Sequence, residues 1–116
     1  MLAINVSTRI YLCVEPCDMR KSFTGLYAVV VNHLGGDPLG GALYLFTNKR
    51  RTRLKVLHWD GTGLWVLTKR LEKGTFSWPD GLQIKEGKLD LSPQAMNLLL
   101  EGVELKDFHQ KAWYER

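Results

Sequence analysis

The densest chemistry in the chain is cationic. Lys49-Arg50-Arg51-Thr52-Arg53-Leu54-Lys55 places five cations in seven positions, and Lys69-Arg70, with Lys73 just beyond, forms a second group. Arg20 and Lys21 add a third near the start of a candidate helix. A guanidinium presents a planar fork that donates to two phosphate oxygens at once, so the chemistry these residues support is the holding of a polyanion. Side chains alternate along a strand, so Arg51, Arg53 and Lys55 are expected on one side, with Leu54, Val56 and, less strictly, His58 on the other. Like charges side by side in a sheet repel, and an anion lying against them offsets that repulsion. A two-stranded ribbon also fits the major groove of a duplex. The plainer alternative is a solvated, charged edge that discourages aggregation; arginine outnumbering lysine in the cluster favours phosphate.

Bond-making chemistry has little to work with. Asp18, Asp37 and Asp60 are scattered, and each has a local use as a cap or turn residue, whereas a metal-dependent nuclease needs carboxylates converging on cations. His33, His58 and His109 are isolated, and no paired-histidine, nucleophile-elbow or phosphate-loop pattern is present. Cys13 and Cys17 stand in a C-x3-C spacing with no second pair to complete a zinc site. A disulfide between them is awkward at a strand end, and they read as inert thiols of a reducing compartment. No catalytic residue, metal or cofactor is expected, and no enzyme activity.

The elements that must position the cations follow from periodicity. Residues 9–14 read as a short strand broken by Glu15-Pro16. Asp18 is placed as the N-cap of a helix over about 19–34, on the three-and-four spacing of Met19, Phe23, Leu26, Tyr27, Val30 and Leu34. Gly35-Gly36-Asp37-Pro38 stops it. Strands are expected over 42–46, 53–59 and 64–71, the last two joined by the hairpin signal Asp60-Gly61-Thr62-Gly63. Register counted back from that turn sets Lys69 opposite Lys55 or Leu54, so the two basic groups are expected to merge. Residues 74–79 read as an edge strand closed by Pro79, and 84–89 as a second hairpin. Ser92-Pro93 opens a helix over about 93–102, with Met96, Leu99, Leu100 and Val103 on its apolar face and Gly102 ending it. Residues 106–116 read as a flexible or docking tail.

Segregated elements in this order predict an α+β fold with an antiparallel β-sheet, in one domain over 1–116. The chain has 116 residues, 45% hydrophobic and 24% charged, which is ordinary for a globular protein. Its net charge is +4, but residues 1–78 hold eleven Lys/Arg against five Asp/Glu and residues 79–116 hold five against seven. The positive excess belongs to the first two-thirds. No apolar run approaches the ~18–20 residues that span a bilayer, the N-terminus lacks the basic and apolar regions of a signal peptide, and the expected location is the cytoplasm. No membrane and no small-molecule substrate are expected.

Five blocks carry a family resemblance: Asp18-Met19-Arg20-Lys21-Ser22-Phe23-Thr24-Gly25-Leu26, then 37–46, then 48–57 with His58-Trp59-Asp60-Gly61-Thr62-Gly63, then 69–79. In this order, over roughly residues 8–105, they resemble the small TnpB-type accessory protein encoded by the second reading frame of bacterial insertion sequences of family sixty-six. The pattern favours Asp where this chain has Thr24, and a single Ser-Gly where it has Gly40-Gly41. The resemblance implies a part in DNA transposition beside a separate large transposase that carries the catalytic carboxylates.

The expectation is therefore an accessory protein that binds DNA at the element's ends through Lys49, Arg50, Arg51, Arg53, Lys55, Lys69 and Arg70, with Arg20 and Lys21 extending the patch. The rival is an adapter that docks on the transposase through Trp65, Trp78, Trp113 and Tyr114, aromatic residues of the kind that anchor interfaces. Exposed aromatic area away from the basic strands favours the adapter; buried tryptophans favour DNA.

Overall fold

The computed structural model describes residues 7–79 and 87–103. Five strands form one sheet: β1 (Ile10–Cys13), β2 (Leu43–Thr47), β3 (Arg53–Trp59), β4 (Leu64–Arg70) and β5 (Lys88–Asp90), in the order β4-β3-β2-β1-β5. Helix α1 (Phe23–Asn32) lies between β1 and β2 in the chain, and α2 (Pro93–Leu100) follows β5. The α+β class is as expected. The sheet, however, is mixed: β1 and β2 pair in parallel, Ile10 with Leu43 through Leu12 with Leu45, and every other pair is antiparallel. Parallel neighbours need a crossover, and α1 supplies it.

Both faces of the sheet are covered, which explains why β2 is buried at all five positions. On one face, Leu26, Val29, Val30 and Leu34 pack against Cys13, Tyr44, Phe46 and Leu57. On the other, Ala95, Met96 and Leu99 of α2 meet Ile10, Leu12, Leu43, Leu45, Leu54, Val56 and Leu89.

Helix α1 starts later than its apolar spacing predicts. Asp18 does not cap it: its carboxylate accepts the Arg20 backbone N–H at 2.9 Å and the Arg20 guanidinium at 2.6–3.1 Å, closing a local turn. Ser22 holds the cap position without a side-chain bond. Phe23, expected on the buried stripe, is 48% exposed. The stop is as expected: Gly35 takes φ 62° and the Gly36 N–H returns to the Val30 carbonyl.

At the second helix the expected cap and stop hold, although the helix ends at Leu100 and Val103, expected on its apolar face, is exposed. Ser92 accepts the Ala95 N–H at 3.0 Å, Pro93 opens the first turn, and Gly102 at φ 78° follows the last. Residues 74–79 are not a strand. Phe76 and Trp78 instead turn inward, 1% and 3% exposed, and fill the α2 side of the core, with the Trp78 indole N–H donating to the Cys13 carbonyl at 2.9 Å. Half of the expected second hairpin (residues 84–86) and the whole 106–116 tail lie outside the described residues.

Candidate nucleic-acid interface

The turn between β2 and β3 carries the cations, and its geometry is set by an asparagine. Asn48 accepts the Thr52 and Arg53 backbone N–H groups on Oδ1 (2.9 and 3.1 Å) and donates from Nδ2 to the Thr52 hydroxyl at 3.0 Å. The Arg51 N–H closes onto the Asn48 carbonyl at 3.0 Å, and the buried Thr47 hydroxyl donates to the Arg53 carbonyl at 2.8 Å. From behind, the Phe76 N–H bonds the Arg51 carbonyl at 2.7 Å, and the Leu71 N–H bonds the Thr52 carbonyl. The turn is thus held on several sides while Lys49, Arg50 and Arg51 stand exposed at its tip.

Arg51 is not on the strand, as its spacing predicts, but in the turn. Its φ of 59° makes it the one non-glycine residue with positive φ among those described. Such a conformation costs a residue bearing a Cβ about 1–2 kcal/mol, so glycine is its usual occupant.

Arg53 and Arg70 are direct partners across the β3–β4 ladder. Cross-strand Cβ atoms lie about 4.5–5.5 Å apart, where like charges destabilise the sheet. Both side chains are on the α1 face, and the tip lies immediately beyond Arg53. No described carboxylate pairs with Lys49, Arg50, Arg51 or Arg53; Arg70 has only a loose approach to Glu72 at 3.7 Å, with both side chains largely in solvent, an arrangement that contributes little.

The other expected residues are placed differently. Lys69 opposes Leu54, on the α2 face, so it leaves the patch it was expected to join. Its ammonium donates to the Leu100 carbonyl at 2.6 Å, the right sign of charge for a helix C-terminus. Lys55 shares a face with Arg53, but that face runs on into the α1 core. It is half-buried and donates to the Lys21 carbonyl at 2.7 Å. Arg20 is matched by Asp18, whose carboxyl is drawn down to about 2, first by the guanidinium and then by the Arg20 backbone N–H.

Sequence reasoning missed Asn48 as the scaffold of the turn; an asparagine opening a polar turn is a signal that was there to be read. At the opposite end of the β3–β4 hairpin, Asp60 is the corresponding organiser. It accepts the Thr62 and Gly63 N–H groups, the Thr62 hydroxyl and the Trp65 indole N–H at 2.7–3.0 Å, and the indole bond leads the causes that hold its carboxyl well below the ordinary range. Among the described residues, no cluster of three or more metal-ligating side chains occurs, and no helix is long and apolar enough to cross a membrane.

The family model described as IS66 Orf2 like protein matches residues 8–110, nearly the whole chain. The chain belongs to this family. IS66 Orf2-like proteins are accessory proteins of insertion-sequence transposition, and the five sequence blocks fall inside the matched span. Two relatives from Sinorhizobium fredii (strain NBRC 101917 / NGR234) extend the likeness. Uncharacterized protein y4jC is 36% identical over 104 residues, covering 90% of this chain and 86% of the relative. Uncharacterized protein y4hO is 33% identical over 113 residues, covering 97% and 95%. No solved structure matches the chain.

Proposed function

We propose that this IS66 Orf2-like protein serves transposition by binding DNA, with the β2–β3 turn as the contact and Lys49, Arg50, Arg51, Arg53 and Arg70 as its phosphate ligands. One observation carries the reading: Arg53 and Arg70 sit opposite each other on one face without a close carboxylate between them. Phosphate oxygens reaching both guanidinium groups relieve a repulsion that the free protein must otherwise bear. Lys21 lies where Lys55 reaches back and extends the patch. Arg20 and Lys69, already partnered within the chain, are peripheral to it. Contacts of this kind fix position on the duplex and carry no base preference. The role needs no catalytic group or cofactor of its own; cutting and joining are left to the separate transposase.

The test is a mobility-shift titration of duplex from the element's ends against the wild type and against a variant with Arg50, Arg51 and Arg53 all changed to Ala. These positions are exposed, so the fold should survive. Retained affinity in the triple variant overturns the reading.

The adapter role has one observation in its favour. Strand β4 is a sheet edge, and it presents Trp65, 48% exposed, beside Leu67 at 36%. Both lie on the α2 face, away from Arg53 and Arg70. Trp78 is lost to that role by burial, and Trp113 and Tyr114 lie outside the described residues. A pull-down in which the transposase is retained by the triple-arginine variant but released by Trp65→Ala with Leu67→Ala would place docking on this edge.

A further inference from the structure

Strand β1 ends on Cys13, and the chain bends through Glu15 and Pro16 to bring Cys17 back beside it. The bend is fixed at both ends: the Val14 N–H bonds the Gly87 carbonyl at 2.9 Å and the Cys17 N–H bonds the Thr47 carbonyl at 2.8 Å. Both cysteines are free thiols, Cys13 buried and Cys17 half-buried, and both line one cavity of about 500 Å3. Glu15, Asp18, Lys21 and His33 supply its polar wall, while Val29 and Leu34 supply the apolar one. The Cys13 thiol donates to the Glu15 carbonyl at 3.4 Å, and Cys17 is near enough to perturb its ionisation.

The two sulfurs are unequal. The hydrogen bond to Cys17, followed by burial, holds Cys13 protonated far above the ordinary thiol range. The same hydrogen bond, received by Cys17, lowers the Cys17 thiol against the opposing effect of burial, and the positive charge of Lys21 adds to the lowering. A thiol whose pKa is lowered by a neighbouring thiol and a cation, in a cavity that admits a small polar molecule, is the arrangement of a reactive cysteine. Inert structural thiols need no cavity.

We propose that Cys17 and Cys13 are an oxidant-reactive pair, with Cys17 the attacking thiol, Cys13 the resolving thiol, and a small hydroperoxide the substrate admitted by the cavity. The Cys17 thiolate attacks one peroxide oxygen, the O–O bond breaks, and the departing oxygen takes a proton to leave as water or an alcohol. Cys17 is then a sulfenic acid. The Cys13 sulfur attacks the Cys17 sulfur, the S–O bond breaks, and the hydroxyl leaves with the Cys13 proton as water. Two thiols lose two electrons in all, and one peroxide gains them.

The experiment uses the intact protein and hydrogen peroxide, followed by denaturation, alkylation with N-ethylmaleimide and measurement of intact mass. The expected product has lost two hydrogens and takes up no maleimide. Cys13→Ser should stop at a Cys17 sulfenic acid that dimedone traps, and Cys17→Ser should leave Cys13 reduced. In unoxidised protein near neutral pH, iodoacetamide should label Cys17 about tenfold faster in the folded than in the unfolded chain. Two alkylatable thiols surviving a peroxide dose that oxidises glutathione in the same tube, or a Cys17 no faster folded than unfolded, would overturn the proposal. Both of these readouts come from the wild type, so they stand even if a variant folds poorly.

Discussion

Arg51 occupies a backbone conformation that glycine would hold without strain, at the tip of the turn where the other unpaired cations gather. An outlier of this kind is a reason to look for function. The sharpest consequence is an opposition between stability and binding. Arg51→Gly relieves about 1–2 kcal/mol of left-handed strain and gives back about 0.5–1 kcal/mol through the greater freedom of the unfolded chain. The variant should therefore be more stable by about 0.5 kcal/mol in urea unfolding while its DNA affinity falls. A variant that loses both, or keeps both, argues against a phosphate-binding role for this side chain. Asp18 is a second residue whose environment has a measurable sign. Its carboxyl is lowered from 3.8 to about 2 in the folded chain, so its contribution to stability is present above the unfolded value and fades as pH falls toward 2. Asp18→Asn should flatten that part of the acid melting curve by lowering stability slightly at neutral pH, where the carboxylate's contribution is present, and leaving it nearly unchanged near pH 2.

At the scale of elements, the turn is an instrument for aiming side chains, and Asn48 is its organiser. Asn48→Ala removes three hydrogen bonds and no charge, at a cost of about 1–2 kcal/mol. If the cations work as a set, their loss of register should weaken DNA binding about 3- to 10-fold, measured well below the melting temperature of the variant. Unchanged affinity would mean that charge alone, without placement, governs binding.

Most elements were legible because apolar periodicity and turn residues agreed: Asp60–Gly63 for the hairpin, Ser92-Pro93 and Gly102 for α2, Gly35 for the end of α1. The failures have physical causes. Asp18 has the chemistry of a cap, but Arg20 two residues on offers its carboxylate a stronger partner than backbone N–H groups. Phe76 and Trp78 alternate as a strand would, yet an alternating segment can also lay both large side chains into a neighbouring core without pairing. The parallel pairing of β1 and β2 was hidden because each strand reads the same whichever direction its neighbour runs. Lys69 shows how fine the margin is. The turn left the choice between Lys55 and Leu54 as its partner, and a shift of one residue carries a side chain through the sheet.

At the scale of the whole molecule, the basic surplus narrows to one corner because the fold absorbs cations elsewhere. Arg9 approaches Asp90 at 3.6 Å, Lys88 sits over the Tyr11 ring, Lys69 meets the α2 terminus, and Arg20 binds Asp18. Lys49, Arg50, Arg51, Arg53 and the loosely held Arg70 are left clustered at the turn for a partner, with Lys21 and Lys73 also exposed. The described chain is 37 × 30 × 29 Å, so a contact at one corner reaches few phosphates, and the number is testable. Each neutralised phosphate adds about −0.9 to the slope of log affinity against log salt on a duplex. Five phosphates give a slope of about −4.5, or a loss of several-hundred-fold between about 50 and 200 mM salt. Removing Arg50, Arg51 and Arg53 together should bring the slope to about −2, and unrelated duplexes should give the same slopes as the element's ends. A wild-type slope near zero would mean that the charge crowded at the turn is not answered by phosphate. The exposed edge of β4, with Trp65 and Leu67, would then be the surface on which this protein meets its partner in transposition.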